Sequence, residues 1–70
     1  MARTVNIVVD GLPEAVPAGT TLARLIQRHQ AQHKDLIVEL DGRFVPAHDY
    51  ERVQVEEGSR VEFILPAFGG

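Results

Sequence analysis

The last six residues, Leu65-Pro66-Ala67-Phe68-Gly69-Gly70, present one group able to react, the α-carboxyl of Gly70. Two glycines carry no side chain and lose more freedom on ordering than other residues, so a core gains nothing from them. A frayed end is the ordinary reading of such a pair. Here the pair follows closely on a strong strand pattern, Arg60-Val61-Glu62-Phe63-Ile64-Leu65. A strand that delivers a bare, extended carboxylate can thread it into a narrow active site. The carboxyl can there be adenylated and then exchanged for a sulfur or nitrogen nucleophile. Gly70 would carry the reacting group, and Gly69 and Phe68 would be the residues that thread.

Other residues with chemical potential form weaker patterns. His29 and His33 stand at i and i+4 of a helical pattern, half of a zinc site. No third ligand has suitable spacing, and histidines near a helix end complement its negative dipole. No metal site is therefore expected. Asp10 and Asp41 each precede a glycine and belong to turns for backbone reasons. Glu56-Glu57 reads as a solvated charge pair. The chain has no cysteine, which excludes disulfides, thiolate catalysis and a persulfide of its own. It also has no glycine-rich phosphate loop.

Seventy residues make one small domain, without room for both a core and an enclosed catalytic cleft. A carrier rather than an enzyme is expected. Apolar residues at 44% and charged residues at 24% are ordinary globular values. The net charge of −3 lacks the basic footprint of a nucleic-acid binder and would suit a basic partner surface. No apolar run reaches the length of a bilayer span. The N-terminus shows no signal-peptide pattern, so a cytoplasmic protein is expected.

The elements that must position the tail follow from periodicity. Thr4 to Asp10 alternates Val5, Ile7 and Val9 onto one face. Asp10-Gly11 signals a type I′ hairpin turn. Leu12 to Val16 returns as a strand that Pro13 confines to an edge. Pro17-Ala18-Gly19 breaks it, and Thr20 or Thr21 offers a helix N-cap. Leu22, Leu25, Ile26 and His29 make a helical stripe, with Arg24, Gln27, Arg28 and Gln30 opposite. The helix is expected to run to about His33. Leu36 to Leu40 is a third strand, and Asp41-Gly42 repeats the turn signal before Arg43-Phe44-Val45-Pro46. Ala47 to Tyr50 reads as a turn or single 3₁₀ turn, with Tyr50 at the core margin. Val53 and Val55 add a short extended piece. Glu57-Gly58-Ser59 turns into the last strand.

Hairpin, helix and further strands on one sheet make an α+β β-grasp (ubiquitin-like) fold. Its mixed sheet of 4–5 strands would be crossed by one main helix. The first and last strands should lie parallel at the sheet centre. A ferredoxin-like layout needs a second substantial helix, which residues 46–58, broken by Pro46 and Gly58, do not supply. Residues 1–65 are expected to form the domain, and residues 66–70 a flexible C-terminal tail ending in Gly-Gly. Val5, Ile7, Val9, Leu22, Leu25, Ile26, Val61 and Phe63 should share one core. With Val61, Phe63 and Leu65 facing the helix, Ile64 would face outward. Ile64 and Phe44 are the candidates for a partner-docking patch.

The chain resembles the ThiS/MoaD family of ubiquitin-like sulfur carriers, and ThiS more than MoaD. The resemblance rests on Pro17-Ala18-Gly19-Thr20-Thr21-Leu22 with Leu25, and on Leu40-Asp41-Gly42-Arg43-Phe44-Val45-Pro46. Tyr50, Glu57-Gly58-Ser59-Arg60-Val61-Glu62 and Gly69-Gly70 complete it. Asp41 stands where asparagine is usual, Ser59 where aspartate is common, and Pro66 is like the MoaD tail.

The resemblance implies a mechanism. An adenylating (ThiF/MoeB-like) enzyme would use ATP and magnesium to form an acyl-adenylate on the Gly70 carboxyl. A sulfur donor would displace AMP and leave a C-terminal thiocarboxylate. An acceptor enzyme, the thiazole synthase of thiamine biosynthesis in the ThiS case, would receive the sulfur. The chain would hold no cofactor of its own. A MoaD-like carrier for molybdopterin, a carrier in amino-acid sulfur assimilation, a ubiquitin-like protein modifier and a plain β-grasp binding module stay open as alternatives. Lys34 is the only lysine, which weakly disfavours a polymerising modifier.

Overall fold

Two aspartate–glycine pairs turn the chain in the computed structural model, which describes residues 3–66. Asp10 and Gly11 have φ of 50° and 84°, and Asp41 and Gly42 have φ of 52° and 80°. Left-handed backbone at both central positions matches the twist of paired strands, as a type I′ turn requires. The first turn joins β1 (Thr4–Val9) to β2 (Leu12–Pro17), with Val9 opposite Leu12. The second joins β3 (Ile37–Leu40) to β4 (Arg43–Val45), with Leu40 opposite Arg43. Pro13 lies in β2, an edge strand, where a missing N–H costs little.

The last strand, β5 (Arg60–Ile64), completes a sheet of order β2-β1-β5-β3-β4. It lies parallel to β1, with Val8 opposite Arg60, and antiparallel to β3, with Ile37 opposite Ile64. Among the described residues this mixed five-stranded sheet with one α-helix is the β-grasp arrangement, with the first and last strands parallel at its centre.

Helix α1 (Leu22–Arg28) starts at Thr21, whose hydroxyl accepts the Arg24 N–H at 3.1 Å. The first-turn N–H groups of Leu22 and Ala23, which have no partner within the helix, donate to the carbonyls of Val53 and Tyr50. The irregular 50–55 stretch is thereby stitched to the helix start, and Thr21 bridges Gln54. A 3₁₀ turn over Ala47–Asp49 follows Pro46.

The helix is shorter than its apolar stripe suggests. It ends at Arg28, with His29 as C-cap and Gln30 at φ 53°. Ala31 N–H donates to the Ile26 carbonyl and Gln30 N–H to that of Gln27, the two bonds of a Schellman motif. Gln30 occupies the left-handed position that glycine usually fills, so no residue type marked the stop. His33 accordingly lies beyond the helix.

The core between helix and sheet holds Ile7, Val9, Leu22, Leu25, Ile26 and Val61, as their periodicity indicates. Val5 and Phe63 are only partly buried at its edge. Val16, Val38, Val45 and Val55, absent from the expected set, are buried as well. Strand β5 stops at Ile64, and Leu65 is 51% exposed instead of facing the helix. The expectations for Phe68, Gly69 and Gly70 lie outside the described residues.

Candidate functional site

Strand β5 is the element that leads to the C-terminus, and its backbone is held from both sides. Toward β3, the Asp41 carboxylate accepts the Arg60 N–H at 2.9 Å, and Asp41 N–H donates to the Arg60 carbonyl at 2.7 Å. Toward β1, Asp10 N–H donates to the Val61 carbonyl, and the Asp10 carboxylate accepts the Phe63 N–H at 2.9 Å. Asp10 thus stands in for a backbone acceptor where β1 has ended. At the other end of the same pairing, Glu57 accepts the Asn6 N–H at 2.9 Å. Glu57 is therefore part of the sheet's hydrogen bonding rather than half of a merely solvated charge pair. Hydrogen bonds to ionised acceptors are stronger than neutral ones, so Asp10 and Glu57 lengthen the ladder at the two ends of the short parallel pairing, and Asp41 extends the antiparallel one.

The two helix-end histidines are separated. His29 Nε2 lies 2.7 Å from Glu14 Oε1, and its ring meets Phe63 edge-on with centroids 5.6 Å apart. Arg28 Nε reaches the other Glu14 oxygen at 2.8 Å. Glu14, from edge strand β2, therefore closes the end of the helix onto the sheet. His33 turns away and accepts the Asp35 N–H at 3.0 Å. Among the described residues no three metal-ligating side chains gather. A hollow of about 470 Å³ beside the helix start is lined by Pro17, Gly19, Thr21, Arg24 and Arg28, among others. It contains no acid–base pair and no thiol.

The face of the sheet away from the helix carries the two candidate docking residues. Register places Phe44, Glu39 and Glu62 in one row across β4, β3 and β5. Ile37 and Ile64 form the next row, toward the end of β5. Phe44 is 65% exposed and Ile64 36% exposed. They share a face but not a contact row, because Ile37 and Glu39 of β3 lie between their strands. Sequence reading did not find the directly opposed Glu39–Glu62 pair, since only the β3–β5 register reveals it.

A central strand gripped at its backbone, in a mixed sheet of order β2-β1-β5-β3-β4, defines a β-grasp fold of the ubiquitin-like class. The model of the ThiS family matches residues 2–70, and the chain belongs to that family. Among solved structures it is similar to the thiamine biosynthesis protein ThiS of Geobacter metallireducens. Identity is 28%, the TM-score is 0.81, and the match covers 94% of this chain and 100% of that one. No curated protein sequence matches the chain.

Proposed function

We propose that this ThiS-family chain carries sulfur for the thiazole step of thiamine biosynthesis, as a co-substrate of partner enzymes. The observation that supports this most is the family match running through residue 70 on a chain whose central strand leads to that residue. The solved relative is itself named as a thiamine biosynthesis protein. In this reading the Gly70 carboxylate attacks the α-phosphate of ATP in a ThiF/MoeB-like adenylating enzyme that holds the magnesium, and pyrophosphate leaves. A sulfur nucleophile then forms the C–S bond as the C–O bond to AMP breaks. The resulting thiocarboxylate donates its sulfur to an acceptor such as thiazole synthase. Gly69 and Phe68 thread the tail, and Ile64 and Phe44 face the partner. The setting is the cytoplasm; among the described residues no helix is long and apolar enough to cross a membrane.

The test is mass spectrometry. Incubated with the adenylating enzyme of the same organism, ATP, magnesium and a sulfur source, the chain should gain the mass of one oxygen replaced by sulfur. Fragmentation should place the change at Gly70. Removal of Gly70 should abolish it, and Gly69→Val should slow it by crowding the narrow active site of the adenylating enzyme. Attachment to lysines of other proteins instead would favour a modifier. Absence of any adenylate would overturn every reading based on the carboxylate.

A further inference from the structure

The sheet ends on two edge strands, β2 and β4. An edge strand presents a row of unpaired N–H and C=O groups, a template for pairing with another chain. In an antiparallel pair, residues that exchange both backbone bonds alternate with residues whose groups point away. Val9 and Leu12 flank the first two-residue turn and form an exchanging pair. In step with that alternation, Ala18 N–H donates to the Arg3 carbonyl at 2.8 Å. Pro13, Ala15 and Pro17 therefore turn their backbone groups to the open edge. The two prolines have no N–H, and the Pro17 carbonyl already accepts from the N–H and the hydroxyl of Thr20. Ala15 is left as the one outward donor of β2. The β4 edge repeats the arrangement. Arg43 and Val45 return their bonds to β3, and Phe44 points its N–H and C=O outward. The next outward position is Pro46, whose carbonyl accepts the Asp49 N–H at 2.9 Å.

We propose that Pro13 and Pro17 on one edge, and Pro46 on the other, close the sheet to strand addition by a second copy of this chain and so keep the domain monomeric. The closure is independent of the function proposed above. A second copy is the partner to exclude, because two-fold symmetry brings identical edges together. With β2 centred on its symmetry mate at Ala15, Pro13 of each strand would face Pro17 of the other. The Ala15 pair could exchange its bonds there, but both flanking pairs are proline against proline and form none. Threonine at the two proline positions would give each strand three outward donors instead of one. Proline is tolerated at edges because the N–H it lacks would face solvent; here the same lack withholds the donors that a second strand needs. On β4 the strand is three residues long, and Pro46 removes the only outward donor that could join that of Phe44.

The test is sedimentation equilibrium of the wild type, P13T/P17T, P46T and a control, A15T, from micromolar to millimolar concentration. A15T adds the same side chain on the same face of β2 without adding a donor. The wild type and A15T should keep the monomer mass throughout. In P13T/P17T and in P46T the apparent mass should rise with concentration, with association at least ~tenfold tighter than in the wild type. Self-association of the wild type, or either proline variant as monomeric as A15T, overturns the inference. Association of A15T to the same degree also overturns it, because the side chain rather than the N–H would then be responsible. Should a variant fail to fold, amide hydrogen exchange of the wild type decides. The Ala15 and Phe44 amides should exchange at least ~tenfold faster than those of Glu14, Val16, Arg43 and Val45. Protection of either outward amide overturns the closure of its edge.

Discussion

The Asp10 carboxylate accepts the backbone N–H of Phe63, 53 residues away in sequence, at 2.9 Å. The bond continues the β1–β5 ladder past the point where β1 turns into its hairpin. Asp10 also holds φ at 50°, so turn and clamp depend on one residue. Asp10→Gly keeps the turn and removes the acceptor; it should cost about 1–2 kcal/mol, while Asp10→Asn, which keeps an acceptor oxygen, should cost less. Urea unfolding measures both. Equal stability of Asp10→Gly and wild type would show that the clamp contributes nothing.

Gln30 closes the helix in a left-handed conformation that a side chain disfavours. Gln30→Gly should therefore stabilise the domain by about 0.5–1 kcal/mol, the strain relieved exceeding the added entropy of the unfolded chain. Thermal melting should move upward. A downward shift would mean that the Gln30 side chain contributes to stability in some other way.

Position in the core sets the cost of truncation. Leu25 is fully buried, whereas Phe63 lies at the margin with its ring against His29. Leu25→Ala should cost about 2–5 kcal/mol, and Phe63→Ala only about 2 kcal/mol, below the 3–5 kcal/mol of a buried phenylalanine. Equilibrium unfolding of the two variants gives the order directly. A larger loss at Phe63 would reverse this account of the core.

The alternation of Val5, Ile7 and Val9, the two Asp-Gly turns and the Leu22-Leu25-Ile26 stripe made the β-grasp layout legible, because each is a local pattern with a local cause. The helix end was not legible, since a Schellman motif closed by glutamine has no distinctive residue. Nor were the clamps of Asp10 on Phe63 and Asp41 on Arg60, which depend on which strands become neighbours. Sequence placed Ile64 outward by parity, but the row joining Phe44 to Glu39 and Glu62 required the register of three strands. Leu65 fails the parity rule because β5 has already ended.

Tyr50 supplies a pH test. Burial raises its phenol above the ordinary value of 10.0. The folded chain thus holds this proton more tightly than the unfolded one. The associated stability is complete below about pH 10 and is lost as pH rises from there toward the folded value. Tyr50 is the only tyrosine, so ultraviolet absorbance follows it alone. Its native titration midpoint should lie above that measured in urea, and Tyr50→Phe should lose less stability above pH 10 than the wild type. Coincident midpoints would show that the ring is solvated.

Ile64 is the last residue of β5, 36% exposed, on the face opposite the helix. A charge there meets solvent in the free chain, so Ile64→Asp should leave the fold intact and change its stability by less than about 1 kcal/mol. In a complex the same charge would be buried against the partner without a counter-ion, which is costly. Affinity for the adenylating enzyme should therefore fall by at least an order of magnitude. Phe44→Asp, on the same face but two strands away, should weaken binding too. Leu12→Asp gives the comparison, because Leu12 is 71% exposed but pairs with Val9 at the far hairpin, away from this row. Calorimetric titration of the three variants reads the pattern. Loss at Ile64 and Phe44 with none at Leu12 is the expected result; equal affinity at all three positions would remove the open face from the docking account and leave recognition to the tail.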